Sequence, residues 1–349
     1  FRLISILKKR REELALTGLG GERLKSLGQK QLADPEQLAV LGFWEVARHY
    51  FFFRRLMKKC EEEIRRNRPS CILLVDYPGF NLRLAKRIKD TGIPIVYYIS
   101  PQVWAWGGKR VTQIAKLVDL MILNLPFEKP FFDHHKIENR LVGHYLLEDI
   151  PTDYIASEVP GSRQLGLLPG SRYQEIERML PAMLSAARLH IKAYGGKAVV
   201  AGIRNRYDYE AAIKAFGSDA ITVRYDDPRG VICQSNLVLV ASGTATLETG
   251  IIGRPMVVIY KTGWLTYQIA KRLVKLDTIG LVNLVLGRKV VPELIQLEAS
   301  PERMAAELSR LMTDKEQTMQ ISAQLKRLPD LLGGKNGSEE AALLLEAYL

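Results

Sequence analysis

A chain of 349 residues, 47% hydrophobic and 25% charged, is folded rather than disordered and long enough for two domains of roughly 150 residues each. No run approaches the roughly 20 uncharged apolar residues that a membrane-crossing helix needs, which excludes that class. The formal charge of +12 lies mostly in residues 1–150, with 26 Lys+Arg against 17 Asp+Glu, and points to an anionic partner: nucleic acid, acidic lipid or a phosphorylated substrate.

The first residues, "FRLISILKKRREE", read as the interior of an amphipathic basic helix, without the apolar region or cleavage site of a secretory signal. A β-prone run, "LALTGL", follows. A doubly wound domain ordinarily opens with a strand, so a strand and loop are expected ahead of Phe1. Residues 44–66, "WEVARHYFFFRRLMKKCEEEIRR", carry a helical core face at Val46, Tyr50, Phe53, Met57, Cys60 and Ile64. That leaves Phe51, Phe52 and Leu56 off the face, among Arg54, Arg55, Lys58 and Lys59. Such a surface fits a helix lying on an anionic membrane, or one covered by a neighbouring helix.

Short apolar runs bounded by helical patterns then recur at 71–76, 94–99 and 120–124, as in buried parallel strands. The first run delivers Asp76 to its carboxyl end beside Tyr77-Pro78-Gly79. A carboxylate there suits a general base; the alternative is a cap for the next helix, a task for which Asn81 is better placed. The second run leads into "SPQVWAWGGKR" (100–110). Trp104 and Trp106 read as a stiff loop wall, with Lys109 and Arg110 opening the next helix toward an anionic headgroup or phosphate.

Weak periodicity and two prolines place an interdomain linker near 148–162. A second strand series follows at 164–169, 197–202, 236–241 and 255–260, and the tail from about 300 is helical. In "LLPGSRYQEIERMLP", Gly170 permits a turn, Ser171 can cap the helix and Arg172 projects from its start. In "VLVASGTATLETG", Ser242, Gly243 and Thr244 join strand to helix, with Glu248 one turn on. Small residues at a helix N-terminus let backbone N–H groups approach a diphosphate; a plain turn with a Ser/Thr cap fits as well. Two such loops at strand ends of one sheet could grip a single ligand.

Cys60, Cys71 and Cys233 are scattered and odd in number, so they read as core thiols of a reducing compartment, with no zinc cluster. His134-His135 reads as surface. There is no GxGxxG after a strand, no P-loop and no GxSxG elbow. No nucleic-acid module is present.

Together "LAVLGFWEV", "VDYPGFNLRLAK", "YYISPQVWAWGGKRV", "LPFEKPFF", "LVGH", "LLPGSR", "ASGTATLE" and "NLVLGRKVVPELIQ" resemble, in order and over nearly the whole chain, the lipid-A-disaccharide synthase family. That resemblance implies an α/β glycosyltransferase B fold, two Rossmann-like domains facing a cleft. Residues 1–150 would bind the acceptor and 151–325 the UDP-sugar, with 326–349 a helical tail. It implies a UDP-2,3-diacylglucosamine donor, a 2,3-diacylglucosamine 1-phosphate (lipid X) acceptor, no cofactor and no metal. It places the chain peripherally on an anionic membrane, at the cytoplasmic face of the inner membrane, and leaves a homodimer open. In the residues themselves, Asp76 matches the family's base and Arg172 the group that neutralises departing UDP. Gly170, Ser171, Ser242, Gly243 and Thr244 would hold the diphosphate and Glu248 the ribose. Asn283, Glu293 and Gln296 would complete the donor site, while Ser100, Trp104, Trp106 and Arg110 would border the acceptor. The family's opening strand and Gly-Glu-x-Ser-Gly-Asp loop have no counterpart here, and Tyr145 replaces the usual small or proline residue after Gly-His. A non-catalytic nucleotide or lipid-phosphate binder of the same fold is the rival reading.

Overall fold

The computed structural model describes residues 1–33, 50–106, 108–263 and 278–349. The chain forms two compact units, Phe1–Tyr145 with Lys335–Leu349, and Leu146–Gly334. The division thus falls at 145 rather than 150, and the expected helical tail is shared: its end returns to the first unit.

The first unit holds a small parallel pair, β1 (Thr17–Gly18) and β2 (Lys30–Gln31), and a four-stranded parallel sheet. That sheet comprises β3 (Ile72–Val75), β4 (Ile95–Tyr98), β5 (Leu120–Leu123) and β6 (Asn139–Leu141), in spatial order of sequence. Side chains alternate across its faces. Ile95 and Tyr97 of β4 join one core with Phe80, Leu84 and Ile88 of α3 (Pro78–Ile88), Val111 and Ile114 of α5 (Gly108–Leu117), and Leu56, Met57 and Cys60 of α2 (Tyr50–Asn67). Val96 and Tyr98 join the other core with Leu3 and Leu7 of α1 (Arg2–Arg10) and Ala341, Ala342 and Leu345 of the C-terminal helix, Gly337–Glu346. Covering both faces explains why these strands read as continuous apolar runs. The last helix is also tied down by Arg10, paired with Glu339 at 2.5 Å and Glu346 at 3.1 Å, and by Glu340, which accepts the Gly143 N–H at 3.0 Å. Two shorter helices, α4 (Val103–Trp106) and α6 (Glu128–His134), follow β4 and β5.

On α2 the expected face needs one correction: Leu56 is buried, 5% exposed, because it faces the same core as Met57 and Cys60. Phe52 packs partly against that core, edge-on to Phe53 with ring centroids 5.9 Å apart. Phe51 is 76% exposed, and Arg54, Arg55, Lys58 and Lys59 are exposed with it. Val46 and the motif at 38–46 lie outside the described residues.

The second unit is a six-stranded parallel sheet, ordered β12-β11-β10-β7-β8-β9. Its strands are β7 (Gln164–Leu168), β8 (Lys197–Gly202), β9 (Ile221–Tyr225), β10 (Leu237–Ala241), β11 (Met256–Tyr260) and β12 (Glu293–Ile295). The helices following the first five are α7 (Tyr173–Tyr194), α8 (Tyr209–Phe216), α9 (Pro228–Gln234), α10 (Thr244–Ile252) and α11 (Leu281–Leu286). Strand order reverses between β7 and β10, the position where open α/β sheets bind ligands beyond the carboxyl ends of their strands. The stretch expected as a linker is anchored to this unit. Arg254, 1% exposed, donates to the Ser157 carbonyl (2.7 Å) and hydroxyl (2.8 Å) and to the Cys233 carbonyl (2.9 Å), so its buried charge is fully solvated by protein oxygens. Among the described residues no helix is long and apolar enough to cross a membrane.

Candidate functional site

At the carboxyl edge of the first sheet, Asp76 follows β3 with an exposed side chain. Asp76 and Tyr77 both take left-handed backbone, at φ 45° and 42°, conformations that cost a non-glycine residue about 1 kcal/mol or more. What holds them is a clamp on the backbone carbonyls. Asn81 donates through Nδ2 to the Val75 oxygen at 3.1 Å and the Asp76 oxygen at 2.7 Å, and the Tyr97 hydroxyl donates to the Asp76 oxygen at 2.5 Å. Asn81 therefore does not cap α3, as its sequence position suggested; Tyr77 stands at the cap and Pro78 at the first turn. Among the described residues the Asp76 carboxylate accepts no hydrogen bond and pairs with no cation, and it is left available to a ligand.

After β4, Ile99 also lies in the left-handed region, at φ 64°, although it is β-branched. Ser100 beyond it is 7% exposed and turned inward: its hydroxyl donates to Glu128 Oε1 at 2.5 Å, and the Trp104 indole N–H reaches the same oxygen at 3.0 Å. The Trp104 ring meets Phe127 edge-on, with centroids 4.9 Å apart. The polar groups of Ser100 and Trp104 thus build the loop from within rather than line its outer side. Glu128 is 3% exposed; burial pushes its carboxyl up to about 7, against the hydrogen bonds from Ser100, Trp104 and the Leu125 backbone. Arg110 is exposed on α5, and the side chains of Trp106 and Lys109 lie outside the described residues.

In the second unit β7 and β10 are hydrogen-bonded neighbours, with Leu168 opposite Val240, so the turns at 170–172 and 242–244 lie side by side. The β10 turn leads into α10 with Gly243 at the cap position and no side-chain cap, while Thr244 is exposed. No Ser/Thr side chain caps this helix. Ser242 itself is engaged elsewhere: its N–H donates to the Ile259 carbonyl at 2.9 Å and its hydroxyl to the Ile279 carbonyl at 3.2 Å. That leaves an uncapped helix end, whose orphan N–H groups and positive dipole favour an anion.

At the β7 turn Gly170 has φ 107°, and an added Cβ would lie 2.8 Å from Glu175 Oε2. Ser171 does not cap α7. Arg172 occupies the cap position, and Glu175 reaches back to accept the N–H groups of Ser171 and Arg172, each at 3.2 Å. Arg172 Nη1 pairs with Glu175 Oε1 at 2.7 Å, but its side chain stays 82% exposed. Glu248, one turn into α10, accepts Arg229 Nε at 3.0 Å on Oε1.

Three residues expected to touch the donor turn inward. Asn283, fully buried, donates to Glu293 Oε1 (2.7 Å) and the Val291 carbonyl (3.0 Å) and accepts the N–H groups of Val290 and Val291. Glu293 also accepts the Thr278 hydroxyl and the N–H groups of Ile279 and Gly280. Gln296 exchanges two hydrogen bonds with the Thr262 backbone. Their side-chain polar atoms hydrogen-bond to the protein and brace the loops around the site, with Gln296 half-buried. Among the described residues no group of three His, Cys, Asp or Glu side chains is arranged to hold a metal ion.

Glu128, Glu175 and Arg229 went unassigned in the sequence. Only Glu175 carried a local signal, three residues after the cap, at capping-box spacing. Glu128 and Arg229 act through partners 28 and 19 residues away along the chain.

Two Rossmann-like units, with candidate groups at the carboxyl ends of their parallel strands, have the architecture of the glycosyltransferase B fold. The structure is similar to that of the calicheamicin glycosyltransferase with a TM-score of 0.63 at 16% identity, covering 100% of this chain and 93% of that one, a likeness of fold alone. The sequence is 40% identical over 342 residues to the lipid-A-disaccharide synthase of Anaeromyxobacter dehalogenans, covering 95% of this chain and 89% of that protein. It is 39% identical over 337 residues to that of Trichlorobacter lovleyi, covering 94% and 88%. The family described as Lipid-A-disaccharide synthetase matches residues 1–347, and the chain belongs to it. The activity is therefore that of a hexosyltransferase in lipid A biosynthesis.

Proposed function

We propose that the chain transfers 2,3-diacylglucosamine from its UDP conjugate to the 6-hydroxyl of 2,3-diacylglucosamine 1-phosphate, with inversion and without a metal. Asp76 takes the proton of the acceptor hydroxyl as the new C1–O6 bond forms. The bond from C1 to the diphosphate breaks, through a transition state of oxocarbenium character. The charge that develops on UDP is met by the uncapped N-terminus of α10 and by Arg172, and these fixed positive groups take the place of a cation. Glu248 Oε2, the oxygen that Arg229 does not hold, receives the ribose hydroxyls. Exposed Phe51 with the cations of α2 supports docking on an anionic membrane, at the cytoplasmic face where the acylated substrates lie.

The observation that carries this reading is the exposed Asp76 carboxylate, unpaired among the described residues and held at a strand end by two left-handed residues and a clamp on its own carbonyl. Assay of UDP release and disaccharide formation from the two acylated sugars tests it. Asp76→Ala should lose about a thousandfold or more in kcat, within the range for a positioned base combined with lost orientation, while its circular dichroism stays that of the wild type. Full turnover by that variant would remove Asp76 as the base.

A further inference from the structure

Glu128 is a buried carboxylate for which the proposed chemistry has no use. It opens α6 in the first unit, in the segment "LPFEKPFF", and is 3% exposed. A carboxyl group is retained in an apolar interior only where its hydrogen bonds repay the loss of water. Here both named side-chain donors come from one loop, the turn from Ser100 to Trp106 that leaves β4. The Ser100 hydroxyl (2.5 Å) and the Trp104 indole (3.0 Å) converge on Oε1. Between them lies a short contact of the Val103 N–H with the Pro101 carbonyl at 2.6 Å, and the turn is entered through Ile99 in a left-handed conformation. A β-branched residue at positive φ persists only where its surroundings over-determine it. The two bonds to Glu128, with the edge-on contact between Trp104 and Phe127, supply that constraint from the neighbouring strand's loop.

We propose that Glu128 is a positioning residue for the acceptor: by accepting the Ser100 hydroxyl and the Trp104 indole N–H on one oxygen, it fixes the 100–106 turn beside the proposed base. This rests on the reading of the first unit as the acceptor side. Asp76 and Ser100 follow adjacent strands, paired from Ile72↔Ile95 to Val75↔Tyr98, so the turn held by Glu128 and the Asp76 carboxylate share one sheet edge. The elevated carboxyl accords with this. Protonation of Oε2 leaves Oε1 an acceptor, so both donors stay engaged in either state.

The test uses the full chain with both acylated sugars and measures KM and kcat for each substrate separately. Loss of a buried acceptor for two donors is worth about tenfold to a hundredfold. Glu128→Ala should therefore raise the acceptor KM by about tenfold or more, with kcat at saturation within about threefold and the donor KM unchanged. Glu128→Gln keeps an oxygen in the same place and should return the acceptor KM to within about threefold of wild type. Ser100→Ala and Trp104→Phe should each give part of the loss, and neither should add to it in the Glu128→Ala background, since the bonds they remove are already gone. These two variants carry the test if Glu128→Ala fails to fold. An unchanged acceptor KM in Glu128→Ala, a Gln variant as impaired as the Ala variant, or losses that add independently would each overturn the assignment. A wild-type chain that makes no disaccharide would overturn the reading of the whole site instead.

Discussion

Asn283 donates to Glu293 Oε1 at 2.7 Å with both side chains buried, and every polar atom of Asn283 is spent on the protein. A ligand could engage these groups only by leaving a buried donor unpaired. The pair should therefore act on stability. Glu293→Ala strands Thr278, Ile279, Gly280 and Asn283, at about 1–3 kcal/mol for each buried group left unsatisfied, and should cost at least about 3 kcal/mol in a urea melt. At low temperature the folded fraction should keep a donor KM within about threefold of wild type. A normal melt with a strongly raised donor KM would restore direct contact with the donor.

Arg229 and Glu248 make the opposite case, in which a positioned group is left with work to do. Arg229 pins Oε1 at 3.0 Å while its Nη1 donates to the Asp149 carbonyl at 2.6 Å, so the carboxylate is oriented, and among the described residues Oε2 accepts no hydrogen bond. If Glu248 reads the ribose, wild type should prefer UDP over 2′-deoxy-UDP by about tenfold, the usual worth of a hydrogen bond to a charged group. Arg229→Ala should shrink that preference to about twofold by releasing the carboxylate, without altering the melt by more than about 1 kcal/mol. Calorimetric titration with the two nucleotides decides it. A preference that survives intact would show that Arg229 serves the fold alone.

How far the sequence discloses this site depends on whether a residue acts locally. The strands at 71–76, 94–99 and 120–124 are apolar throughout because both faces of the sheet are covered, and that is visible without coordinates. Strands β6, β9 and β12 are not. "NRL" and "ITVRY" carry charged or polar residues where they lie toward solvent at sheet edges, and "ELI" opens on the buried Glu293. The positions of Asp76 and Arg172 are legible because a strand end and a helix start are local features. The inward hydrogen bonds of Asn283, Glu293 and Ser100 are not legible, because a polar residue in a motif looks alike whether it faces substrate or braces the loop that does. The spacing along the chain does not tell these apart; the hydrogen-bond partners do.

The surface of α2 separates its aromatic residues by exposure. Phe51 is 76% exposed among Arg54, Arg55 and Lys58, whereas Phe52 packs against the core. Burying one phenyl ring is worth roughly 2 kcal/mol and each cation near an anionic surface about 1 kcal/mol. Phe51→Ser should thus weaken co-sedimentation with phosphatidylglycerol vesicles about tenfold and leave the melt unchanged. Phe52→Ser should lower the melting temperature and affect vesicle binding little. Binding by Phe51→Ser equal to wild type, or equal binding to neutral and anionic vesicles, would take α2 out of the membrane reading.

Two buried ionisable groups of the first unit should give the chain a definite pH signature. Burial raises the Glu128 carboxyl from 4.5 to about 7, and burial lowers His144 from 6.5 to about 4. Below about pH 4.5 Glu128 holds its proton folded or unfolded. As pH rises from 4.5 to 7 the unfolded chain releases that proton while the folded chain retains it, so stability falls across this window and levels above it. His144 acts in the other direction. It is neutral when folded, and as pH drops from 6.5 toward 4 the unfolded chain gains a proton that the folded chain refuses, so stability falls on acidification. Between pH 4.5 and 6.5 the two trends oppose each other in wild type. Glu128→Gln removes one of them. Relative to wild type the variant should gain stability progressively from pH 4.5 to 7, by about 3 kcal/mol at the upper end, since each pH unit between folded and unfolded values is worth about 1.4 kcal/mol. On its own its melting curve should keep an acid-side loss, to which His144 contributes together with His190, also lowered by burial, and the paired carboxylates Glu63, Asp90, Asp133 and Glu158. Urea melts of both proteins at half-unit steps from pH 4 to 8 measure the difference directly; a constant offset across that range would mean that Glu128 ionises in the folded chain as it does in water.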